Sequence, residues 1–385
     1  MGRGKTIAVA ALAACIAVSC GGDDGSSTES AAETTGAPTT SVDAPGGTAP
    51  AADPSAPPER DVVPGEDSAF RPSARIRDVL AAALGPTAGV PVFDGDFADP
   101  FLLLDRAYYL YSTNTAGSNL PVIRSVSGVQ GQQLDDGFPV LPAWVEPGYT
   151  WAPSVLAVED GYVLYYTARH GASGRQCIGV AVADRPEGPF VDEAGAPLIC
   201  PLSLGGAIDA SPFVDTDGTA YLYWKSDGNC CGITTELFGS RLSEDGERLE
   251  GPTVSLAHTS EGWEGPLIEG PSMVEADGRY VLFYSANRYD TPSYAVGFAR
   301  CEGPLGPCTK PPGGPWLSRH GDARGPGGQE FFLDRRGNRW MLYHAWVTDQ
   351  TGYQNGGARA LFMQEVGFDA DGVPVAGDGD PQAET

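Results

Sequence analysis

Residues 267–273 read LIEGPSM, and residues 280–285 read YVLFYS. The first segment places the carboxylate of Glu269 and a Gly-Pro pair directly before an apolar run, and a polar turn follows. Runs rich in Val, Leu, Phe and Tyr on both sides of such a turn are typical of two paired β-strands. A buried strand has no structural need for a carboxylate, so Glu269 is a candidate functional residue.

The same layout occurs five times along the chain. The repeats begin at Asp99, Trp151, Asp209, Glu269 and Gly328, at spacings of 52, 58, 60 and 59 residues. Four of the turns contain a Gly, which tolerates the positive φ angles of tight hairpins. These turns are Asp160-Gly161, Asp217-Gly218, Asp277-Gly278 and Arg336-Gly337. A strand-rich repeat of this length predicts an all-β fold, a five-bladed β-propeller.

Three of the repeats carry an acidic residue at what we expect to be one structural position: Asp99, Asp209 and Glu269. The first strand of each propeller blade lines the central channel, so these side chains should converge. Convergent carboxylates repel one another and raise at least one pKa, which separates an ionised base from a protonated acid. Hydrolysis of a glycosidic bond needs that pair. Turn capping or a structural cation is the alternative explanation.

The N-terminus is typical of a bacterial export signal. Arg3 and Lys5 precede a 14-residue apolar run that is too short to span a bilayer. Residues 17–21 read AVSCG and resemble a lipobox, so residues 1–20 are the predicted signal peptide and Cys20 the lipidated residue. Cys15 is the rival site, and plain secretion is the other alternative.

Residues 21–68 predict a disordered tether. They consist mainly of Gly, Ser, Thr, Ala, Pro and acid, with ten acidic residues and one Arg, and offer almost nothing bulky to bury. Residues 69–385 show no second change of composition, and we interpret them as one domain, the propeller with a short N-terminal helical segment. Ser73 is the expected N-cap of that helix and Gly85 follows its end.

The charge balance excludes partners that are polyanions. The chain has 24 Lys and Arg against 50 Asp and Glu, a net charge of −26, and contains no basic patch. Such a surface repels nucleic acid and suits a neutral polysaccharide or oligosaccharide. We expect an extracytoplasmic monomer, either lipid-anchored or secreted, that touches the membrane only through its lipid.

Six cysteines follow the signal, and an even number in an exported chain favours disulfides. Six cysteines allow 15 pairings. The expected pairs are Cys301–Cys308, Cys177–Cys200 and Cys230–Cys231. Metal binding is the alternative, but the sequence has no Cys-x-x-Cys or Cys/His cluster to support it.

Four motifs resemble those of glycoside hydrolase family 43, the five-bladed propellers that include arabinanases, arabinofuranosidases and xylosidases. The resemblance covers about residues 90–375. The motifs are Ala98-Asp99-Pro100, Trp151–Ser154, Ile208–Phe213 and Ile268–Pro271. Each is short, and their order and spacing together make the resemblance specific.

The resemblance implies inverting hydrolysis of pentose-containing glycans, with arabinan, arabinofuranosyl or xylosyl linkages. It implies that Asp99 is the general base, that Glu269 is the general acid, and that Asp209 tunes the pKa of the acid and orients it. Trp151 lies at a motif position and can stack on a sugar. Arg288 and Arg324 are candidate contacts to sugar hydroxyls, with surface placement as the alternative.

The fifth repeat departs from the family pattern. It reads GPGGQ at residues 325–329, so Gly328 stands where the family usually has a His associated with a cation. We therefore expect no organic cofactor and no metal, although a structural calcium stays open. His344 is interpreted as a structural residue of its blade. A non-catalytic glycan-binding propeller lipoprotein is the alternative function, and the sugar, the linkage and endo or exo action are not specified.

Lipidation can be tested by replacing Cys20. In Cys20→Ala we expect the acyl group to be lost and the protein to leave the membrane fraction, because the thiol that carries the lipid is gone. Mass spectrometry of the mature N-terminus gives the result, and Cys15→Ala is the matched control that should stay acylated. An unacylated wild-type terminus inside residues 21–68 would contradict the prediction.

Overall fold

The computed structural model describes residues 89, 91–93, 95–125, 131–347 and 350–376. Within these ranges the regular elements are β-strands and four short 3-10 helices. The predicted signal peptide, tether and N-terminal helix all lie outside the described residues. No helix in the described part of the chain is long and apolar enough to cross a membrane.

The strands form five antiparallel sheets, and in each sheet neighbouring strands follow chain order. The first strands β1, β5, β8, β12 and β16 contact one another around a ring, which confirms the five-bladed β-propeller. Blade one contains β1 (Phe101–Leu104), β2 (Tyr108–Tyr111), β3 (Val122–Ser125) and β4 (Gly131–Gln133), and blade two contains β5 (Val145–Val158), β6 (Gly161–His170) and β7 (Arg175–Ala183). Blade three contains β8 (Ala207–Val214), β9 (Ala220–Ser226), β10 (Glu236–Leu242) and β11 (Leu249–His258), and blade four contains β12 (Ile268–Ala276), β13 (Arg279–Ala286), β14 (Ala295–Cys301) and β15 (Cys308–Thr309). Blade five contains β16 (Ala323–Leu333), β17 (Arg339–Val347), β18 (Arg359–Phe368) and β19 (Pro374–Ala376).

The hairpin between β12 and β13 shows why the repeats carry Asp-Gly pairs. Asp277 and Gly278 have φ angles of 53° and 79°, and the flanking Ala276 and Arg279 are paired across the hairpin. Two positive φ angles in a two-residue loop define the type I′ turn, whose twist matches that of the strands. Gly tolerates these angles without strain, so the short turn keeps the first and second strands of the blade in register.

A β-bulge interrupts the first strand of blades two to five. There the first strand advances three residues while the second advances two. One residue of each bulge has a left-handed φ, and Asp99 has the same conformation in blade one. The left-handed residues are Asp99 (49°), Ala152 (41°), Asp209 (59°), Gly270 (56°) and Gly328 (59°). Glu269 precedes its left-handed residue, so the expectation that all three acids share one repeat position is wrong for Glu269.

The hydrophobic core is divided among the interfaces between neighbouring blades, with one buried cluster at each. Buried tyrosines on the second strands of blades one, two and three each connect their blade to the next. Tyr111 donates its hydroxyl to the carbonyl of Pro186, and Tyr165 donates to that of Gly246, both at 2.6 Å. Tyr223 makes the equivalent bond one blade further on. Each ring thus buries apolar area while its hydroxyl stays paired.

The ring is closed by the segment before blade one. Phe93 bridges Leu361 on β18, and the backbone N–H of Val92 donates to the Leu361 carbonyl at 2.8 Å. The N–H of Phe97 donates to the carbonyl of Arg359 at 2.8 Å. The chain therefore pairs with the last blade immediately before it enters the first, which fixes Asp99 relative to blade five.

All three expected disulfides are present: Cys177–Cys200, Cys230–Cys231 and Cys301–Cys308. The first ties β7 to the connection that leads into blade three. The third closes the connection between β14 and β15. The second joins neighbouring residues in the 3-10 helix Gly228–Cys231.

The pairing predicts that the folded, exported protein has no free thiol among these six cysteines. We expect no maleimide labelling under native or denaturing conditions and six labels after reduction. Mass spectrometry of a non-reduced digest should recover the three pairs. Labelling of all six cysteines without a reductant would contradict the assignment.

Candidate active site

The first strands enclose one pocket near the propeller axis, and all five blades contribute to its lining. Asp99, Asp209 and Glu269 line this pocket together, although they are far apart in the sequence. The left-handed conformations of Asp99 and Asp209 re-aim these side chains at the bulges. Asp tolerates that conformation better than most residues, so it can adopt the left-handed backbone and also place a carboxylate in the pocket.

Asp99 is held by three side chains from other strands. The hydroxyl of Thr113 donates to its Oδ2 at 2.6 Å, and Nη1 of Arg359 lies 3.2 Å from its Oδ1. Its backbone N–H donates to Nδ1 of His344 at 3.0 Å. Burial by itself would raise the pKa of Asp99, but Arg359 and the other partners outweigh burial and lower it. Asp99 is therefore a carboxylate at neutral pH.

Asp209 is coupled directly to the segment that carries Glu269. Its Oδ2 accepts the backbone N–H of Gly270 at 2.9 Å, and its own N–H donates to Thr167 Oγ1 at 3.2 Å. Burial and the neighbouring Glu269 carboxylate raise the pKa of Asp209 to about 7. Asp209 therefore keeps its proton up to near-neutral pH.

Glu269 lies between a cation and a phenol. Nζ of Lys225 donates to its Oε2 at 2.9 Å, and the hydroxyl of Tyr294 donates to its Oε1 at 2.8 Å. The Lys225 side chain has no exposed surface. Burial by itself would lower the pKa of Lys225. The neighbouring acids Glu269, Asp227 and Asp209 outweigh burial and raise this pKa, so the ammonium keeps its charge. Both oxygens of Glu269 are thus fixed in position.

A fourth carboxyl, Glu330, lines the pocket. The hydroxyls of Ser211 and Ser272 donate to its Oε2 at 3.1 and 2.7 Å. Burial raises the pKa of Glu330 to about 8, against the effect of the two hydroxyls, so this group is mostly protonated at neutral pH. It adds little negative charge to a pocket that already contains three acids.

Two of the three substrate-contact candidates lie in the pocket. Trp151 lines it, and its indole N–H is buried with no hydrogen-bond partner among the described residues. Arg288 also lines the pocket and binds Asp290 through two nitrogens, at 3.0 and 2.8 Å. Arg324 is not part of the lining, and its Nη1 donates to the carbonyl of Gly321 at 2.7 Å.

Lys225, Tyr294, Arg359 and Glu330 were not identified from the sequence. Lys225, Tyr294 and Arg359 lie on or beside strands for which the repeat gives no motif, whereas Glu330 follows the fifth repeat's GPGGQ directly on β16. Lys225 had a usable signal, because it ends the apolar run AYLYW of residues 220–224. A charged residue at a buried strand position needs a partner, and Glu269 is that partner.

The described residues do not fit a cation bound through the imidazole that the family usually places here. An added Cβ at Gly328 would lie 2.6 Å from the ring of His344. Nδ1 of His344 already accepts the N–H of Asp99, so in the neutral ring Nε2 carries the proton and has no free lone pair. Burial, followed by Arg359, lowers the pKa of His344 to about 3, which keeps the ring neutral.

Within the described ranges, one group of three His, Cys, Asp or Glu side chains has its possible metal-ligand atoms within 4.8 Å of one another. It consists of His170, Cys177 and Cys200, and both cysteines are joined in a disulfide. A disulfide offers no thiolate to a metal. His344 is therefore best described as a structural acceptor that fixes the backbone of Asp99.

Proteins of known activity are similar to this chain in sequence. Beta-D-galactofuranosidase xynD of Aspergillus niger is 31% identical over 266 residues, which cover 61% of this chain and 70% of that protein. Arabinoxylan arabinofuranohydrolase of Bacillus subtilis is 29% identical over 56% of this chain. The match spans only 42% of that enzyme's own length.

Solved structures share the fold. The crystal structure of a thermostable family-43 glycoside hydrolase aligns with a TM-score of 0.65 and 28% identity, over 76% of this chain and 95% of that chain. An endo-1,4-beta-xylanase from Bacteroides thetaiotaomicron aligns with a TM-score of 0.62 and 27% identity, over 75% of this chain and 97% of that one. The family model "Glycosyl hydrolases family 43" matches residues 88–374. The chain therefore belongs to glycosyl hydrolases family 43.

Proposed function

We propose that this protein hydrolyses glycosidic bonds of pentose-containing glycans by inverting general acid/base catalysis. The observation that carries the proposal is one pocket that contains three carboxyls with different partners, in which the pKa of Asp99 is lowered and that of Asp209 is raised. An acid and a base within one site are what single-displacement hydrolysis needs. The names of relatives, among them an endo-arabinanase and a xylosidase/arabinosidase, support the substrate class.

Asp99 is the proposed general base. Arg359 and Thr113 keep its carboxylate ionised, so it can accept a proton from the attacking water. The hydrogen bond to His344 and the left-handed backbone leave the carboxylate one main orientation. Water attacks the anomeric carbon on the face opposite the leaving oxygen, which inverts the configuration.

Glu269 is the proposed general acid, and Asp209 is a positioning residue. Asp209 fixes the backbone of Gly270, next to Glu269, through the hydrogen bond from the Gly270 N–H. As the general acid, Glu269 gives a proton to the leaving oxygen. Lys225 and Tyr294 hold the two oxygens of Glu269 while the proton moves. The reaction needs no organic cofactor, and we route no step through a metal.

Trp151 and Arg288 are the proposed sugar contacts, while Arg324 is left out of the proposed site because its guanidinium binds local backbone carbonyls. A glycan-binding propeller without activity is less well supported. A binding protein has no use for an ionised Asp99 and a protonated Asp209 in one pocket.

We also propose that the protein works outside the cytoplasm, with a lipid on Cys20. The three disulfides support an oxidising compartment. One related arabinanase of Bacillus subtilis is named extracellular. Cys20 lies outside the described residues, so the acyl-group measurement decides this point.

The role of Glu269 predicts that the effect of its substitution depends on the leaving group. Glu269→Gln removes the transferable proton but keeps a similar shape beside Lys225 and Tyr294. For unactivated oligosaccharides we expect kcat to fall about 10²–10⁴-fold. For aryl glycosides with acidic phenols the loss should be much smaller, because those groups leave without protonation. A panel of aryl arabinofuranosides, xylosides and galactofuranosides gives both numbers.

Asp99→Asn is the matched control, because water activation does not depend on the leaving group. It should reduce both substrate classes by the same factor. Thermal unfolding should be compared as well, since each change leaves a buried cation, Lys225 or Arg359, with one partner fewer. Unchanged turnover in folded Glu269→Gln, or NMR evidence of retained anomeric configuration, would contradict the mechanism.

Asp209 predicts a shift in pH dependence. Glu269 can act as an acid only while it carries a proton, and an ionised Asp209 beside it favours that proton by charge repulsion. The two carboxyls interact, since Glu269 is one of the causes that raise the pKa of Asp209 to about 7. Asp209→Asn removes one negative charge, so this repulsion disappears. The alkaline limb of kcat/KM should move to lower pH by about 1 unit or more. A pH–rate profile measures this, and a limb that stays in place or moves to higher pH would contradict the coupling.

A further inference from the structure

A 3-10 helix at the rim of the pocket contains a disulfide between neighbouring residues, Cys230 and Cys231. Cys230 and the preceding Asn229 both line the pocket. Neither the disulfide nor Asn229 has a part in the chemistry described above. Both cysteines are half-buried, Cys230 is the one that lines the pocket, and its Sγ also accepts a hydrogen bond from Nη1 of Arg175 at 3.2 Å.

The position of this helix relative to Glu269 is fixed through a short chain of contacts. Lys225 binds Glu269 at 2.9 Å, and its Nζ lies 3.9 Å from Oδ1 of Asp227, the residue before the helix. Asp99 takes no part in these contacts and is bound instead by Arg359 and His344 of blade five. In an inverting site the leaving group departs on the side of the acid, away from the base. The helix therefore borders the part of the pocket where the departing sugar would lie.

The 3-10 helix at the rim is held in place by contacts with Gly205 and Gly206. Asp227 donates its N–H to the carbonyl of Gly206 at 3.0 Å, and an added Cβ at Gly205 would lie 2.5 Å from the carbonyl oxygen of Asp227. The N–H of Ile233 returns to the carbonyl of Gly228 at 2.9 Å. The Cys177–Cys200 disulfide anchors the chain just before this glycine pair. Two of the three disulfides thus hold this single part of the rim.

The surface chemistry of the rim suits a sugar ring. A disulfide has no N–H or O–H donor, and its polarisable sulfurs pack on apolar groups. Pro266 and Leu267 add apolar surface to the pocket lining beside it, and Asn229 adds an amide. Oδ1 of Asn229 has no hydrogen-bond partner among the described residues. An apolar face with one amide matches the C–H face and hydroxyl groups of a neutral sugar.

We propose that the Cys230–Cys231 disulfide, together with Asn229 and Pro266, is the platform that binds the sugar residue on the leaving-group side of the scissile bond. The proposal rests on the proposed function, since it assumes that Glu269 protonates the leaving oxygen. It assigns to this disulfide a role in the affinity for the substrate's second sugar.

The test compares two double variants. Cys230→Ser/Cys231→Ser removes the sulfur platform, and Cys301→Ser/Cys308→Ser is the matched control, because that disulfide lies outside the pocket lining. Each variant is assayed with an oligosaccharide that the wild type hydrolyses and with the glycosyl fluoride of the same sugar. Fluoride is too small to reach the rim, so the fluoride reports on the glycon site and the catalytic groups alone.

For Cys230→Ser/Cys231→Ser we expect kcat/KM for the oligosaccharide to fall about tenfold, mainly through KM, because small apolar contacts contribute about that much to discrimination. Hydrolysis of the fluoride, and inhibition by the free monosaccharide, should stay within about twofold of wild type. The control variant should change neither ratio. Equal losses on both substrates, or no loss on the oligosaccharide, would overturn the proposal.

Two further measurements keep the result decisive. If the double Ser variant does not fold, Asn229→Ala and mild reduction of the folded wild type replace it, with the same expected selective loss on the oligosaccharide. If the wild type hydrolyses neither substrate, the proposed function fails. In that case, oligosaccharide affinity by calorimetry, in wild type against the Cys230→Ser/Cys231→Ser variant, still decides whether the platform binds sugar.

Discussion

The constraint on which the site depends is the left-handed residue near the start of each blade, which lies within the first strand in blades two to five and two residues before β1 in blade one. A non-Gly residue in this conformation costs about 1–2 kcal/mol, and it persists because its backbone N–H finds a fixed acceptor. Asp99 donates to the ring of His344, and Asp209 donates to the hydroxyl of Thr167. These bonds connect a first strand to a different blade, so the same contacts that hold the ring together also orient the carboxylates.

The distribution of cations then gives three chemically similar groups different protonation. Arg359 serves Asp99, so that carboxylate remains ionised. Lys225 serves Asp209 and Glu269 together, and one ammonium cannot neutralise two carboxylates. A proton compensates the second charge, and the pKa of Asp209 is accordingly raised to about 7. The difference between proposed base and proposed acid therefore follows from where two buried cations lie on the second and third strands.

The sequence predicted the parts that repeat and failed on the parts that do not. Spacing and Asp-Gly turns predicted five blades and brought Asp99, Asp209 and Glu269 to one pocket. The repeat spacing could not show that Glu269 lies one residue before the left-handed position of its blade, because a bulge changes strand register without changing composition. It also could not place Arg324, since residues on either side of a bulge point to different faces. Lys225 and Arg359 act across blades, and no local pattern records such a contact.

Gly328 and His344 show how a departure from a family pattern can be compensated within the fold. A side chain at position 328 would project into the space that the ring of His344 occupies. The His that the family usually has at this position and His344 would therefore compete for the same space. Nδ1 of His344 accepts the backbone N–H of Asp99, and the ring stays neutral beside Arg359. The proposed base is consequently fixed by a hydrogen bond, and its charge is balanced by a guanidinium. An axial cation would add positive charge to a pocket whose ionised base already has a buried counterion.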